Sequence, residues 1–494
     1  MSQFEQIPDN IRTPLAYIEI NNHAGASGLA DASQNVLLLG YAAADNTTAP
    51  LTPVRIYSTG QAEQLYGRGS MLAEMAAAFI SANKTSPLYC QSVAIPAETS
   101  SASGFLNIRG VATESGSINA LIGGQALPVA VSAGDSASVI ANNVINKINN
   151  ECAAVSATLT VAQIGGESEY QVVLHSRYPG AVGNDIDNRV NYYAGESTPG
   201  GVSVVARKLS GGVGSPDFAA VIANLGGLWF TRIINPFTDT ASLNLLATEL
   251  LDRWGPMRMC DGIAFMAHRG NIGTTAAFGL TRNEFLFSTM ATGISPTPPW
   301  IWASVNCAVA TYYLALDPAR PLQTLELPGV LPPDEADRWL QNERNSLLYD
   351  GISTFTVTDA GAVQIERQIT MYQKDAYDTA DDSYLDVNTI ATLSYIRYAT
   401  RVRIQQRFPR HKLADDGTRF APGQPVVTPS VIRSELLALF TEFETAGLVE
   451  GFDDYKTALV VERDTKNRNR VNVYANQDVV NQFRLYAQAI NYIG

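Results

Sequence analysis

Apolar runs and helix-period segments alternate along most of the chain. Val36 to Gly40 reads VLLLG, a short uninterrupted apolar run of the kind expected for a strand covered on both faces. Met71 to Asn83 follows with helical spacing, and Ser70 stands where an N-cap hydroxyl accepts an otherwise unpaired amide. Leu88 to Ile95 predicts the next strand. The rhythm resumes much later, with strand Leu228 to Ile234, helix Thr238 to Trp254, strand Gly262 to His268, strand Asn283 to Met290 and helix Trp300 to Leu316. Such alternation predicts an α/β core. In the helix from Thr238, the side chains Leu243, Leu246, Leu250, Leu251 and Trp254 form one expected stripe against the sheet. Asn388 to Phe408 predicts a further long helix.

Between these two blocks, residues 97–215 read differently. They hold 16 of the 38 glycines, none of the tryptophans, and many short Val/Ile/Thr runs such as Ala157 to Ala162 and Tyr170 to Leu174. Flanking segments AETSSASG and SGGVGSPD have the small, flexible composition that borders tolerated insertions. An inserted β-rich domain is expected, with one helix, Ser136 to Asn149, packed on its sheet.

Both chain ends alternate with a period of two. Residues 13–20 put Leu15 and Tyr17 on one face and Ala16, Ile18 and Ile20 on the other, while 481–490 put Phe483, Leu485, Ala487 and Ala489 on one face. An unpaired apolar strand at a chain end invites aggregation, so each must join a sheet, either its own or that of a neighbouring copy. The pattern alone leaves both open.

The chain has 494 residues, which bounds it to about three domains. Its formal charge of −13 disfavours phosphate-backbone binding, and no direct nucleic-acid contact is expected. Charged residues make up only 16 %, against roughly 25 % in ordinary domains, so part of the nominal surface is expected to be covered. Cys90, Cys152, Cys260 and Cys307 lie too far apart in sequence for a paired metal or redox motif. The opening residues lack the layout of a signal peptide, and no apolar stretch is a clean membrane span. A soluble protein made in the cytoplasm, without membrane insertion, is expected.

Chemistry has few places to reside. The chain contains no P-loop, H-E-x-x-H, G-x-S-x-G or EF-hand pattern. Gly211 to Gly214 resembles a phosphate-cradling loop only superficially and reads as a linker. His268, at a predicted strand end, is the strongest catalytic candidate, with a polar strand end pairing to a carboxylate as the simpler reading. His23, His175 and His411 lack metal-ligand spacing. The run Asp375, Asp378, Asp381, Asp382 and Asp386 reads as a solvated acidic turn ahead of a hard-cation site. After it come Arg397, Arg401, Arg403, Arg407, Arg410, Lys412 and Arg419, a basic cluster in an acidic chain; the first two share a helix face that suits an acidic partner.

Several long segments are distinctive: FEQIPDNIRTPLAYIEI (4–20), DRWGPMRMCDGIAF (252–265), SPTPPW (295–300), RPLQTLELPGVLPPDEADRW (320–339), NSLLYDGISTFTV (345–357) and the stretch 383–420 that starts SYLDVNTIATLSYIRYATR. Across nearly its whole length the chain resembles the contractile tail sheath proteins of bacteriophages, in particular those of Mu-like myophages.

That resemblance implies a structural subunit and not an enzyme, without cofactor or metal. It implies stacked hexameric rings around a tail tube, contracting from a metastable extended state to drive the tube through the host envelope during genome delivery. The implied partners are further copies of the chain, the tail tube protein, and baseplate and terminator proteins, in a virion tail assembled in the host cytoplasm. Residues 1–23 become an N-terminal linking arm, 24–96 with 216–361 the α/β core, 97–215 an outward insertion, and 362–494 an inner, tube-proximal domain ending in a second arm, 481–494. Arg397, Arg401, Arg403 and Arg407 become a possible tube-facing patch. The competing readings are a soluble α/β enzyme with a pocket near His268, and a non-contractile tube or shell subunit.

Overall fold

The computed structural model describes residues 34–95, 98–164 and 167–492. Leu15, Tyr17, Ile18, Ile20 and His23 lie outside them. The chain forms two compact units, one of residues 33–390 and one containing residues 391–494.

The larger unit opens with β1 (Val36–Gly40), β2 (Val54–Ile56), α1 (Thr59–Tyr66), α2 (Met71–Ala82) and β3 (Leu88–Ser92). Every residue of β1 is buried, as its unbroken apolar run requires. Ser70 caps α2 by accepting from the Ala73 amide.

Then comes the insertion: β4 (Ser101–Gly110), β5 (Gly116–Ile122), β6 (Gln125–Val131), α3 (Ala137–Glu151), β7 (Val155–Ile164), β8 (Glu167–Pro179), β9 (Asn188–Val190) and β10 (Val202–Ser210). Its strands make a four-stranded sheet in the order β10-β4-β8-β7 and a three-stranded one in the order β6-β5-β9. The expected helix is α3, capped by Ser136, and it buries Ile140, Ala141, Val144 and Ile148.

The core resumes with α4 (Phe218–Leu225), β11 (Arg232–Ile234), α5 (Thr240–Trp254), β12 (Ile263–Arg269), α6 (Ile272–Leu280), β13 (Phe287–Gly293) and α7 (Pro299–Leu316). Beyond it lie α8 (Gln341–Tyr349), β14 (Thr354–Val357) and β15 (Val363–Arg367). The central sheet has the order β13-β12-β11-β1-β3-β2, parallel except for the edge strand β2. The mixed α/β fold is therefore as expected.

Three local readings need correction. On α5, Leu243, Leu246 and Leu250 are buried, but Leu251 is 56 % exposed, because its neighbour Leu250 already occupies the sheet-facing position. The strand expected from Leu228 starts only at Arg232, since Trp229 turns to donate from Nε1 to the Asp261 carbonyl. The segment 362–390 packs in the larger unit and not with the C-terminal residues: Met371 donates its amide to the Phe287 carbonyl, and Ser288 Oγ donates to the Ile369 carbonyl.

The smaller unit contains most of α9 (Val387–Arg407), then β16 (Lys412–Leu413), β17 (Val426–Val427), α10 (Pro429–Thr445), β18 (Val449–Glu450), α11 (Phe452–Ala458), β19 (Val460–Arg463), β20 (Val471–Tyr474) and β21 (Asp478–Val479). Its core is the face of α10 carrying Ile432, Leu436, Leu439, Phe440 and Phe443, with Phe440 stacked on Tyr455 at a centroid distance of 4.0 Å.

Candidate assembly surfaces

In an open parallel sheet, ligands bind where the strand order reverses, beyond the C-terminal ends of the strands. Here that point lies between β1 and β11, and it is filled. Tyr41, just past β1, meets Phe237, just past β11, edge to face at 5.1 Å, and Phe218 packs on the same ring at 6.3 Å.

The neighbouring strand end is equally occupied. His268 stacks on Phe278 at 4.6 Å, and its Nδ1 lies 3.3 Å from Thr275 Oγ1. Burial lowers its pKa to about 4, so the imidazole is neutral at ordinary pH. Arg269 donates to Asp187, the residue before β9, and, from Nε, to the Ser295 carbonyl. Arg269 thus ties the segment before β9 to the central sheet, and His268 is engaged by its own neighbours.

The other candidates are accounted for locally. Gly212 both donates to and accepts from the Asn184 side chain, so the Gly211 to Gly214 segment has its backbone engaged as a joint. Asp375 accepts from the Tyr377 and Thr379 amides, Asp381 from Tyr372 Oη and Ser383, and Asp386 pairs with Arg367. The carboxylates thus point to different donors. Among the described residues no group of three or more acidic, His or Cys side chains could hold a metal ion. His175 lies 3.3 Å from Thr158 Oγ1, and His411 packs on Phe408. Among the described residues no helix is long and apolar enough to cross a membrane.

What remains open is on the smaller unit. Past β21, which pairs with β18, residues 480–492 form neither helix nor strand. Phe483, Leu485, Ala487 and Ala489 are all exposed, and so are Tyr486, Ile490 and Tyr492; the five largest are 73–91 % exposed. The alternation of 483, 485, 487 and 489 found one face, but the opposite face, with Tyr486, Ile490 and Tyr492, was missed although the same period of two displays it. A second open feature is the β19–β20 hairpin. Its strands pair only with each other among the described residues, and Val460, Val473 and Tyr474 are exposed on it.

The four arginines of α9 do not form one basic face. Arg403 is buried and ion-paired with Glu435 and Glu442 of α10, and Arg407 shares Glu435. Their charges are compensated inside the unit. Arg401 lies over the Tyr398 ring at 5.9 Å, one turn beyond Arg397. Sequence reading missed Glu435 and Glu442, which lie on a different helix.

Comparison with known proteins identifies the family. Residues 211–371 match the phage tail sheath protein central domain, and residues 379–492 the phage tail sheath C-terminal domain. The Mu-like prophage FluMu tail sheath protein of Haemophilus influenzae is 47 % identical over 490 residues, covering 99 % of each chain. Among solved structures, a sheath tail protein of Listeria innocua shares the fold at 12 % identity and a TM-score of 0.50, over 93 % of this chain and 95 % of that one. A sheath tail protein of Desulfitobacterium hafniense gives a TM-score of 0.47 at 12 % identity, over 94 % and 100 %. The protein is accordingly structural and not an enzyme, and the chain belongs to the phage tail sheath family.

Proposed function

We propose that the protein is the subunit of a contractile sheath, polymerising as stacked hexameric rings around a tail tube and shortening from a metastable extended state to drive that tube through the host envelope. The observation that carries this reading is the C-terminal segment 480–492, whose large apolar side chains stand exposed on both faces of a stretch with no secondary structure. Such a segment is stable in water only when it is covered. A neighbouring copy supplies the cover, and the exposed β19–β20 hairpin of that copy offers the backbone edges on which an added strand can form. Residues 13–20 act as the second linking strand, the insertion projects outward, and the C-terminal domain forms the tube-proximal layer. Contacts to tail tube, baseplate and terminator proteins complete the particle, which is assembled in the host cytoplasm.

Strand addition and ring packing then have different duties. Backbone hydrogen bonds between arms and neighbours survive a rigid rotation, while side-chain contacts between rings are exchanged. Burial of ~400 Å² of additional apolar surface per subunit releases about 10 kcal/mol at ~25 cal/mol per Å², so no nucleotide is needed to drive contraction. Negative-stain microscopy of the purified chain tests the reading. Striated hollow cylinders of two discrete lengths per ring are expected; smooth tubes, closed shells or monomers at all concentrations contradict it.

A further inference from the structure

The larger unit has a groove of about 520 Å³ beside α8. One wall is the α8 face carrying Asn345, Leu348 and Tyr349, spaced at three and four residues so that they share a side. The opposite wall is the segment Ala380 to Leu385, held in place by Tyr372 Oη donating to Asp381. The rim combines two kinds of group. Tyr349 is 78 % exposed and Asp382 is an exposed carboxylate, while Arg367, also on the lining, is ion-paired with Asp386. Exposed aromatic faces beside carboxylates suit an ammonium or guanidinium group on an aliphatic stem.

The chain itself contains an element of that chemistry. Residues 391–494 hold 14 Lys/Arg against 11 Asp/Glu, a surplus of three, whereas residues 1–390 carry a formal charge of −16. Within the basic part, the loop joining β19 to β20 is Asp464-Thr-Lys-Asn-Arg-Asn-Arg470. It is a built projection: Asp464 accepts from the Lys466 and Asn467 amides, and these contacts hold its carboxyl down to about 2. Arg463 and Arg468 are ion-paired with Asp415 at its base. Lys466 is exposed in the turn and Arg470 at the loop's base, where its carbonyl accepts the Asp464 amide; neither has an ion pair among the described residues.

We infer that the groove beside α8 receives the hairpin turn carrying Lys466 from a second copy of this chain. The contact rests on the sheath reading above, since only a homopolymer brings one copy's basic unit to another copy's acidic one. It is made of exposed side chains alone. It can therefore form and break as rings move while strand-linked arms stay joined, and it is sensitive to salt.

Two measurements on the full chain test it. In the first, Lys466→Cys and Asp382→Cys chains are mixed, polymerised and treated with a short bis-maleimide. Cross-linked dimer is expected in the mixture, well above either variant alone and above the unmodified chain, whose Cys260 is half-buried. Well-formed cylinders without that dimer assign the groove to a different occupant and overturn the inference. In the second, Lys466→Glu and Asp382→Lys are each expected to raise the polymerisation midpoint about tenfold, and the double variant to recover most of the loss. Additive losses in the double variant, with thermal unfolding unchanged, overturn it as well. If the unmodified chain forms no cylinders, the sheath reading itself fails; if it forms them and only the paired variants behave independently, the groove contact alone fails.

Discussion

Arg189 on β9 donates to Asp334 at 2.9 Å, across 145 residues of sequence, and so fastens the insertion to the core. The same guanidinium pairs with Asp187, which also receives Arg269 from the end of β12, and donates to the Ile294 carbonyl. Tyr192 Oη adds a bond to the Pro332 carbonyl at 2.8 Å. The β5–β6 turn is pressed against the start of α7 so closely that a Cβ on Gly124, at φ +79°, would sit 3.1 Å from Thr297 Cα. The insertion is a fixed part of the larger unit and not a tethered appendage.

Asp187→Asn leaves the mostly buried Arg269 without its ion-paired carboxylate and Arg189 with Asp334 alone. A loss of about 3 kcal/mol in unfolding free energy is expected, with earlier proteolytic cleavage near the 211–217 joint. Calorimetry and limited trypsin digestion measure both.

Glu74 on α2 is half-buried and accepts from Tyr178 Oη of the insertion. Burial raises its pKa from 4.5 to about 7, more than the Tyr178 hydrogen bond and Arg177 lower it. The folded protein therefore holds this proton more tightly than the unfolded chain, and its contribution to stability falls as pH rises from 4.5 to 7. Glu74→Gln keeps the acceptor and removes the titration. The variant is expected to gain on the order of 3 kcal/mol relative to the wild type between pH 4 and pH 8. Chemical denaturation across that range reads the difference; a constant offset contradicts it.

Arg403→Ala leaves Glu442 without its ion-pair partner and Glu435 with Arg407 alone, and is expected to cost about 2 kcal/mol, with tube contacts weakened only through lost folding. Arg397→Glu with Arg401→Glu is expected to act differently, loosening attachment to the tube with little change in unfolding. Co-sedimentation with tube protein, alongside thermal unfolding, separates the two. Equal effects on both readouts from both variants contradict the division.

His268→Ala removes a buried ring stacked on Phe278. A loss of about 2 kcal/mol in stability is expected, with cylinder formation retained at temperatures where the variant is folded. Failure of the folded variant to assemble, seen by microscopy, contradicts the packing role.

Much of the fold was legible because local signals agreed with it. The all-buried β1 wrote itself as VLLLG, and Ser70 and Ser136 marked the starts of α2 and α3 with hydroxyl caps. The shift in composition over 97–215 coincides with the strands β4 to β10, whose sheets need many turns. Short helices such as α6 and α8 were not, because nine residues give too few repeats for a period to stand out. The α9 arginines misled for a different reason. Their acidic partners Glu435 and Glu442 are 32 and 39 residues from Arg403, so neutralisation is a property of packing and not of local pattern. The alternation at 481–490 was legible in the sequence, and its large side chains lie exposed in the single chain.

The most direct measurement compares the full chain with one lacking residues 481–494, a cut that leaves β21 and its pairing with β18 in place. Sedimentation and microscopy at matched concentration are expected to show long cylinders from the former and folded monomers or short oligomers, with an unchanged unfolding transition, from the latter. Long cylinders of normal appearance from the shortened chain would contradict the claim that this end links one copy to the next.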